Sequence, residues 1–200
     1  MKITATSDIH GAKPPKSGEH SGEVLIIAGD LTNRGTINEI AQFIFNWELF
    51  CSVFDKVFII PGNHDTCMTQ PEVIEMITTG IPNAKVFFGG TYEHGGIKFG
   101  FMPWSPTYGP FEFMGSEELI LNKLIKVKQV DVLVTHSPPQ DILDEVIGGE
   151  HVGSAALAAF VEVYPPVYHI FGHIHEAAGI LETTKTTFMN VAFNVITFEV

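Results

Sequence analysis

Five short apolar segments of this chain each stop at a residue type that binds metals, and this feature constrains the fold most. The segments are KITATS, VLIIAG, KVFIIP, VDVLVT and VYHIF. Each is a nearly continuous apolar run, which is typical of strands covered on both faces. In α/β sheets, ligands bind beyond the carboxyl ends of such strands. The sequence therefore predicts an α/β fold whose site lies where these strands end.

The residues at these strand ends include seven candidate metal ligands. They are Asp8, His10, Asp30, Asn63, His136, His173 and His175. Imidazole and carboxylate ligands together suit Zn, Fe and Mn, and Mn is favoured as the oxygen content rises. One carboxylate must bridge if two cations are to lie about 3.5–4 Å apart. Glycines precede several of these ligands, and we expect them, including the one before His173, to provide the turn off the strand.

The rest of the chain alternates strands and helices. AKVFFG and IKFGFM predict further strands, and TTFMNVAFNVITFEV predicts two shorter ones that suggest a second sheet packed on the first. Helices are predicted over residues 36–52, 70–79, 116–127 and 154–163, and 12–22 reads as a surface loop. In the first helix, Ile37, Ile40, Ala41, Ile44 and Phe45 predict a stripe that faces the core. The length of 200 residues predicts one domain over 1–200.

Composition narrows the class of partner. The net charge is −12, from 23 acidic and 11 basic residues, and such a surface repels long nucleic acid and anionic membranes. The two cysteines, Cys51 and Cys67, do not form a disulfide framework and predict buried thiols. The first residues do not resemble a signal peptide, and there is no apolar run of 18 residues. We therefore expect a soluble protein of a reducing compartment, the cytoplasm.

The ordered motifs D-x-H, G-D, G-N-H-D, T-H and G-H-x-H, between Asp8 and His175, resemble the calcineurin-like metallophosphoesterase superfamily. The resemblance implies two mixed β-sheets packed as a sandwich and flanked by helices. It also implies two divalent metal ions, most often Mn, with Fe, Zn, Mg or Ni as alternatives. One metal would be held by Asp8, His10, Asp30 and His175. The other would be held by Asp30, Asn63, His136 and His173, with Asp30 bridging.

Four further segments narrow the resemblance. MPWSPTYG, THSPPQDILD, EHVGSAAL and FGHIHEAAG, the last followed by TTFMNVA, resemble the small metallophosphodiesterases of the MPPED family. This implies a phosphodiesterase that hydrolyses small phosphodiesters, cyclic nucleotides among them, by attack of a metal-bound hydroxide. The alternatives are a phosphomonoesterase or nuclease that uses the same site, or a weakly active scaffold protein. The oligomeric state stays open.

The same resemblance assigns catalytic roles beside Asp30. His64 would contact the phosphate or protonate the leaving oxygen. The segment GDLTNRG has Asn33 where the Ser/Thr protein phosphatases have an aspartate, and an amide accepts a hydrogen bond from His64 but stabilises its cation poorly. This argues against a protein phosphatase. Arg34 could bind a phosphate or pair with Glu39, and Asp65 could orient His64 or cap the next segment.

Five other aromatic or histidine residues lie outside the ligand set. Trp104 could form a lid or a stacking platform, or could pack on the edge of the sheet. His151 could lie near the site, although a structural hydrogen bond is favoured. His169 lies inside an apolar strand and predicts a core histidine rather than a ligand. His20 and His94 lie in polar loops and are predicted to be solvated.

Overall fold

A computed structural model describes residues 1–16 and 20–200 of the chain. The predicted loop over 12–22 therefore lies partly outside the described residues. The strands within the described part are β1 (Lys2–Thr6), β2 (Val24–Ala28), β3 (Lys56–Ile60), β4 (Ala84–Val86), β5 (Gly90–His94), β6 (Ile97–Met102), β7 (Ser105–Pro106), β8 (Met114–Gly115), β9 (Val132–Thr135), β10 (Tyr168–Phe171), β11 (Gly179–Glu182), β12 (Thr187–Asn190) and β13 (Val195–Glu199). The helices there are α1 (Ile37–Cys51), α2 (Pro71–Gly80), α3 (Glu117–Leu124) and α4 (Ala155–Val163), with short 3₁₀ turns at Thr66–Thr69 and His175–Ala177.

The strands form two large mixed sheets, as the resemblance predicts. The first has the order β13-β1-β2-β3-β4, and its neighbours are parallel except for the β1–β13 pair. The second has the order β11-β12-β10-β9-β6-β5, with a parallel centre and antiparallel pairs at both edges. Because β1, β2, β3, β9 and β10 all lie in parallel pairs, the carboxyl ends of neighbouring strands emerge at the same edge of each sheet.

The core confirms a sandwich flanked by helices. Side chains from one face of each sheet meet in a central apolar layer, for example Ile26 of β2 and Val134 of β9. The other face of the first sheet is covered by α1 and α2, and the other face of the second sheet by α3 and α4. Both faces of the central strands are therefore buried, which explains their continuous apolar runs.

Capping residues explain why the helices begin where they do. Thr36 and Glu39 form a capping box at the start of α1, in which each side chain binds the other residue's main-chain N–H. Ser116 and Ser154 accept a hydrogen bond from the third residue of α3 and α4, respectively. The four predicted helices are confirmed, although α3 ends three residues earlier than predicted, at Leu124.

The predicted core-facing stripe of α1 is wrong in part. Ile40 is buried, but Ile37 is 49% and Phe45 is 85% exposed, and Ala41 is exposed as well. The buried face of the helix consists of Ile40, Phe43, Trp47, Phe50 and Cys51. This face carries three large aromatic side chains, which bury more apolar area than the predicted stripe, so they set the rotation of the helix.

Two histidines that were predicted to be solvated are half-buried instead. His20 Nδ1 lies 3.1 Å from Thr197 Oγ1 on β13, and the His94 ring at the end of β5 packs edge-on against Phe58. The cysteine prediction is confirmed, because both thiols are buried and burial raises the pKa of Cys51 to about 12. Within 1–16 and 20–200, no helix is long and apolar enough to cross a bilayer.

Candidate metal centre

The seven predicted ligands converge at one edge of the sandwich, and both sheets contribute. Asp8 follows β1, Asp30 follows β2 and Asn63 follows β3 in the first sheet. His136 follows β9 and His173 follows β10 in the second sheet. The site therefore spans the seam between the two sheets.

The first group of ligand atoms comes from Asp8, His10 and His175, which all lie within 4.8 Å of one another. His175 Nε2 is 3.1 Å and His10 Nε2 is 4.0 Å from Asp8 Oδ1. Asp8 is buried, whereas the histidines are partly exposed. A cation held here would therefore be reachable from solvent on one side.

The second group comes from Asp30, His136 and His173, again within 4.8 Å of one another. His136 Nε2 lies 3.4 Å from Asp30 Oδ2 and 3.0 Å from Asn63 Oδ1. The same Asp30 oxygen is 3.7 Å from His10 Nε2 of the first group. Asp30 thus lies between the two groups, which is the position that a bridging carboxylate needs.

Four of the candidate ligands have left-handed backbone conformations. The φ angles are 56° at Asp8, 45° at His10, 54° at Asp30 and 73° at His173. A non-glycine residue in this region costs about 1–2 kcal/mol. Such strain persists where surrounding contacts fix the loop, and it concentrates at functional sites. Here the His173 N–H donates to Asp8 Oδ2 at 2.9 Å, which holds one strained segment against another.

The glycines before the ligands mainly provide space. A Cβ atom on Gly62 would lie 2.2 Å from Asp30 Oδ1, and one on Gly172 would lie 2.0 Å from Asp8 Oδ2. Neither glycine has a positive φ, whereas Gly29 has a φ of 104°. The prediction that Gly172 supplies the turn before His173 is therefore wrong. His173 makes the left-handed turn itself, and Gly172 lets the Asp8 carboxylate approach.

Main-chain carbonyls fix the orientation of two ligand imidazoles. His136 Nδ1 is 2.9 Å from Ala28 O, and His10 Nδ1 is 3.1 Å from Thr32 O. Because a carbonyl oxygen only accepts, each Nδ1 donates and each neutral ring presents the lone pair of Nε2 to the site. His10 Nε2 is buried and has no hydrogen-bond partner within the described residues. A buried lone pair of this kind fits a metal cation.

The charges of the site shift the pKa values of its members. Burial alone would lower the pKa of His136, but the adjacent Asp30 carboxylate outweighs burial and raises it to about 9, so a cation bound here would displace a proton from Nε2. Burial alone would raise the pKa of Asp30, but His136 and the His64 main-chain N–H hold it well below its usual range. Burial lowers the pKa of His173 to about 3 and keeps its imidazole neutral, as a metal ligand must be.

His64 lies beside the first group without joining it. Its ring centroid is 4.9 Å from that of His10, and its main-chain N–H donates to Asp30 Oδ1 at 2.8 Å. His64 Nδ1 lies 2.8 Å from the main-chain oxygen of Asn33. The predicted contact with Asn33 therefore involves the backbone and not the side-chain amide. The acceptor is a carbonyl whichever residue stands at position 33.

Within the described residues, the Arg34 guanidinium does not form the predicted pair with Glu39, and the Asp65 carboxylate contacts a neighbouring loop. Arg34 is exposed, and the Glu39 carboxylate accepts its main-chain N–H at 3.1 Å; within the described chain no salt bridge involves the guanidinium. Asp65 is buried and accepts from the N–H groups of Thr32 and Gly62 at 2.9 Å each. Asp65 precedes the 3₁₀ turn, but within the described residues its carboxylate neither contacts the His64 ring nor caps that turn. It ties the loop after β2 to the loop after β3.

Three aromatic residues that contact the candidate ligands or His64 were not among the predicted site residues. Tyr108 Oη accepts a hydrogen bond from Asn63 Nδ2 at 3.0 Å, so it helps to direct the amide oxygen towards His136. Phe111 packs on His64, and Phe193 packs on His175. Tyr108 belongs to the segment MPWSPTYG that carried the family resemblance, which was the available signal.

Trp104 and His151 have structural contacts. The Trp104 ring packs edge-on against Phe113 at 5.9 Å, and Lys123 Nζ lies 4.5 Å above it. This supports packing at the edge of the sheet over a stacking platform. His151 Nδ1 lies 2.6 Å from Asp144 Oδ1, so the favoured structural hydrogen bond is present.

Comparison with known proteins agrees with this geometry. The family model for calcineurin-like phosphoesterase matches residues 1–177. A UPF0046 protein of Caenorhabditis elegans is 32% identical over 86% of the chain and 67% of its own length. Human metallophosphoesterase domain-containing protein 1 is 26% identical over 99% of the chain and 68% of its own length. The solved structure of TT1561 from Thermus thermophilus covers 94% of the chain and 88% of that protein, with a TM-score of 0.64 at 14% identity. A structure described as a novel archaeal phosphodiesterase covers 95% of the chain and 82% of its own, with a TM-score of 0.51 at 14% identity.

Proposed function

Because this chain belongs to the calcineurin-like phosphoesterase family, we propose that it is a metal-dependent phosphodiesterase that acts on small phosphodiesters, cyclic nucleotides included. The position of Asp30 between two groups of ligand atoms carries the proposal. A shared carboxylate can hold two cations close enough to act on one phosphate. Among the relatives, the archaeal structure is described as a phosphodiesterase, and this agrees with the assignment.

The proposed cofactors are two divalent cations, with manganese favoured by the mixture of imidazole, carboxylate and amide ligands. Asp8, His10 and His175 would hold one, and His136 and His173 would hold the other, with Asp30 shared. Asn63 would add its side-chain oxygen to the second. When bound, such cations activate a water molecule and stabilise the charge of phosphoryl oxygens.

His64 is the proposed catalytic histidine. Its Nδ1–H donates to the Asn33 carbonyl, which leaves Nε2 free to contact a phosphate oxygen or to protonate the leaving oxygen. A carbonyl stabilises an imidazolium less than a carboxylate does. We therefore assign His64 a modest acid role, suited to diesters with good leaving groups or to strained cyclic diesters. Arg34 is exposed beside this loop and is proposed as a weaker phosphate contact.

The charge of the chain and the complete ligand set argue against two of the alternatives, a nuclease and a scaffold. A net charge of −12 opposes the binding of long nucleic acid, which weakens the nuclease alternative. Two bound cations would attract a dianionic monoester as well as a diester, so the comparison of substrates below separates these two. A scaffold that has lost catalysis has no need of the complete ligand set.

The test compares bis(p-nitrophenyl) phosphate with p-nitrophenyl phosphate, in added Mn²⁺ and in chelator. We expect metal-dependent turnover of the diester that exceeds turnover of the monoester. Preference for the monoester would favour a phosphomonoesterase. No turnover of either, with bound metal demonstrated by elemental analysis, would favour a scaffold or a specialised substrate.

Substitutions test which residues the turnover depends on. His175→Ala and Asp30→Ala should abolish turnover with the fold retained. His64→Gln should lower turnover by about 10²-fold, the lower end of the general-acid range, while metal stays bound. His94→Gln is the matched control, because His94 lies on an edge strand and contacts Phe58. Loss of metal from His64→Gln would instead make His64 a support for a ligand.

A further inference from the structure

Three exposed aromatic side chains surround the candidate metal centre. Tyr108 is 60%, Phe111 is 38% and Phe193 is 58% exposed. In the part of the chain that the structure describes, none of them belongs to an apolar core cluster. A single exposed ring, such as that of Phe45, is ordinary, but three exposed rings grouped around one polar centre mark a candidate binding surface.

Tyr108 and Phe111 line one side of the centre. The Phe111 ring centroid is 5.1 Å from that of His64 and 5.7 Å from that of Tyr108. Tyr108 in turn lies 5.5 Å from the ring of His173. The two rings therefore adjoin both the proposed catalytic histidine and a ligand of the second group.

Phe193 adjoins the other group of ligands. Its ring centroid is 4.4 Å from that of His175 and 5.9 Å from that of His10. Its φ is 56°, and its N–H donates to Ser7 O at 3.1 Å, which anchors the strained residue beside Asp8. The left-handed backbone of Phe193 costs free energy, and a ring that stays 58% exposed recovers little of it through burial, so a role in binding accounts for this conformation better than a role in folding.

We propose that Tyr108, Phe111 and Phe193 form an aromatic subsite that binds a planar ring carried by the substrate. The substrate class is thus phosphodiesters in which an ester group carries an aryl group or a nucleobase. Stacking on aromatic side chains tolerates any planar ring. The subsite would therefore bind planar rings in general and would not distinguish one base from another. This inference rests on the proposed function, because the phosphate must lie at the metal centre for its ester groups to reach the rings.

The test uses diesters that share one leaving group. Methyl, phenyl and thymidine-5′ esters of p-nitrophenyl phosphate release the same p-nitrophenolate. Differences in their intrinsic reactivity cancel when the same ester is compared between the unaltered protein and a variant. We compare kcat/KM for the three in the unaltered protein, in Phe111→Leu, in Phe193→Leu and in the double variant. The control is Phe45→Leu, which removes an 85% exposed ring from α1.

We expect the preference for the phenyl and thymidine esters over the methyl ester to fall by about 5- to 50-fold in the double variant, as stacking losses predict. The control should keep the original preference. Phe193→Gly is a second variant that removes the ring and relieves the backbone strain, so it should fold and still lose the preference. Phe193→Tyr should retain it.

Two outcomes would overturn the inference. Equal losses on all three esters would mean that the rings only shield the centre, and an unchanged preference in the variants would mean that they do not contact substrate. Failure of the proposed function is a separate result, because the unaltered protein would then hydrolyse none of the esters, the methyl ester included.

Discussion

The orientation of single side chains decides whether seven scattered residues can act as one site. Asn63 illustrates this, because an amide can present either oxygen or nitrogen to a cation. Tyr108 accepts from its Nδ2, so Oδ1 faces His136. His10 and His136 are directed similarly by the carbonyls of Thr32 and Ala28. Groups outside the ligand set therefore fix the orientation of the candidate ligand atoms.

Tyr108→Phe should weaken metal binding while keeping the aromatic ring. Without the phenolic oxygen, the Asn63 amide loses the acceptor that fixes its orientation, and metal affinity should fall by about tenfold. Calorimetric titration with Mn²⁺ measures the change. Tyr168→Phe is the control, because its hydroxyl donates to Glu199 O at the opposite end of β10. Equal affinity in Tyr108→Phe and the unaltered protein would mean that His136 alone orients Asn63.

The convergence of the seven candidate ligands could be predicted from the sequence, whereas the positions of Phe111 and Phe193 beside them could not. Each ligand follows an apolar strand, and the carboxyl ends of parallel strands meet at one edge. Phe111 and Phe193 lie in loops, where position depends on local conformations such as the left-handed backbone of Phe193. Neither periodicity nor composition encodes that conformation.

At the scale of elements, the glycines that end the strands set how closely the loops approach. Gly172→Ala should disrupt the centre, because its Cβ would meet Asp8 Oδ2 at 2.0 Å and Ser7 Oγ at 2.3 Å. We expect loss of bound metal and of turnover, with destabilisation of about 1–3 kcal/mol. Elemental analysis and urea unfolding measure both. Gly148→Ala is the control, since nothing lies within 4 Å of its added methyl group. Full metal content in Gly172→Ala would refute this role.

His169, a buried histidine on β10, should make the stability of the fold depend on pH. The prediction that His169 belongs to the core is confirmed: it is fully buried, and its Nε2 lies 2.9 Å from Thr135 Oγ1. Thr135 Oγ1 itself donates to Ser137 O, so His169 donates from Nε2, and its buried Nδ1 has no partner within the described residues. Burial lowers the pKa of His169 from 6.5 to about 3.

The lowered pKa of His169 should make the folded state less stable in acid. Between pH 6.5 and about 3, the unfolded state binds a proton here that the folded state does not. Stability is therefore complete above pH 6.5 and falls by about 1.4 kcal/mol per pH unit as acid is added. The free energy of unfolding is measured with urea, in chelator, at about pH 7, 6 and 5, for the unaltered protein and for His169→Phe. The difference between the two free energies should change by about 2 kcal/mol between pH 7 and pH 5. A constant difference would contradict the prediction.

The strands that the sequence did not reveal are mostly edge strands. Nine predicted strands are present, including both in the last stretch, but β5, β11 and the two-residue strands β7 and β8 were missed. β5 and β11 form the two edges of the second sheet. An edge strand has one neighbour and is half-exposed, so GTYEH and GILE lack the long apolar runs of the central strands.

At the scale of the whole molecule, the site joins two sheets that are otherwise held together by apolar packing. The first sheet supplies Asp8, Asp30 and Asn63, and the second supplies His136 and His173. Periodicity predicted the strands, and the strand-rich carboxyl end suggested a second sheet packed on the first. Only the family resemblance implied two mixed sheets flanked by helices, because local sequence pattern does not specify strand pairing over long sequence distances. A cation bound at the seam would therefore cross-link the sandwich.

This arrangement predicts that metal stabilises the fold in proportion to the number of occupied sites. A ligand at 100 times its Kd stabilises by about 2.7 kcal/mol per site, provided that the unfolded chain does not bind it. For a chain of this size that corresponds to a Tm increase of roughly 5–11 °C per site. Two sites should therefore give roughly twice that increase between chelator and saturating Mn²⁺. His175→Ala, which removes a ligand of the first group alone, should retain about half of the shift. His94→Gln should retain all of it. A shift of single-site size in the unaltered protein, unchanged in His175→Ala, would show that only the group of Asp30, His136 and His173 binds metal.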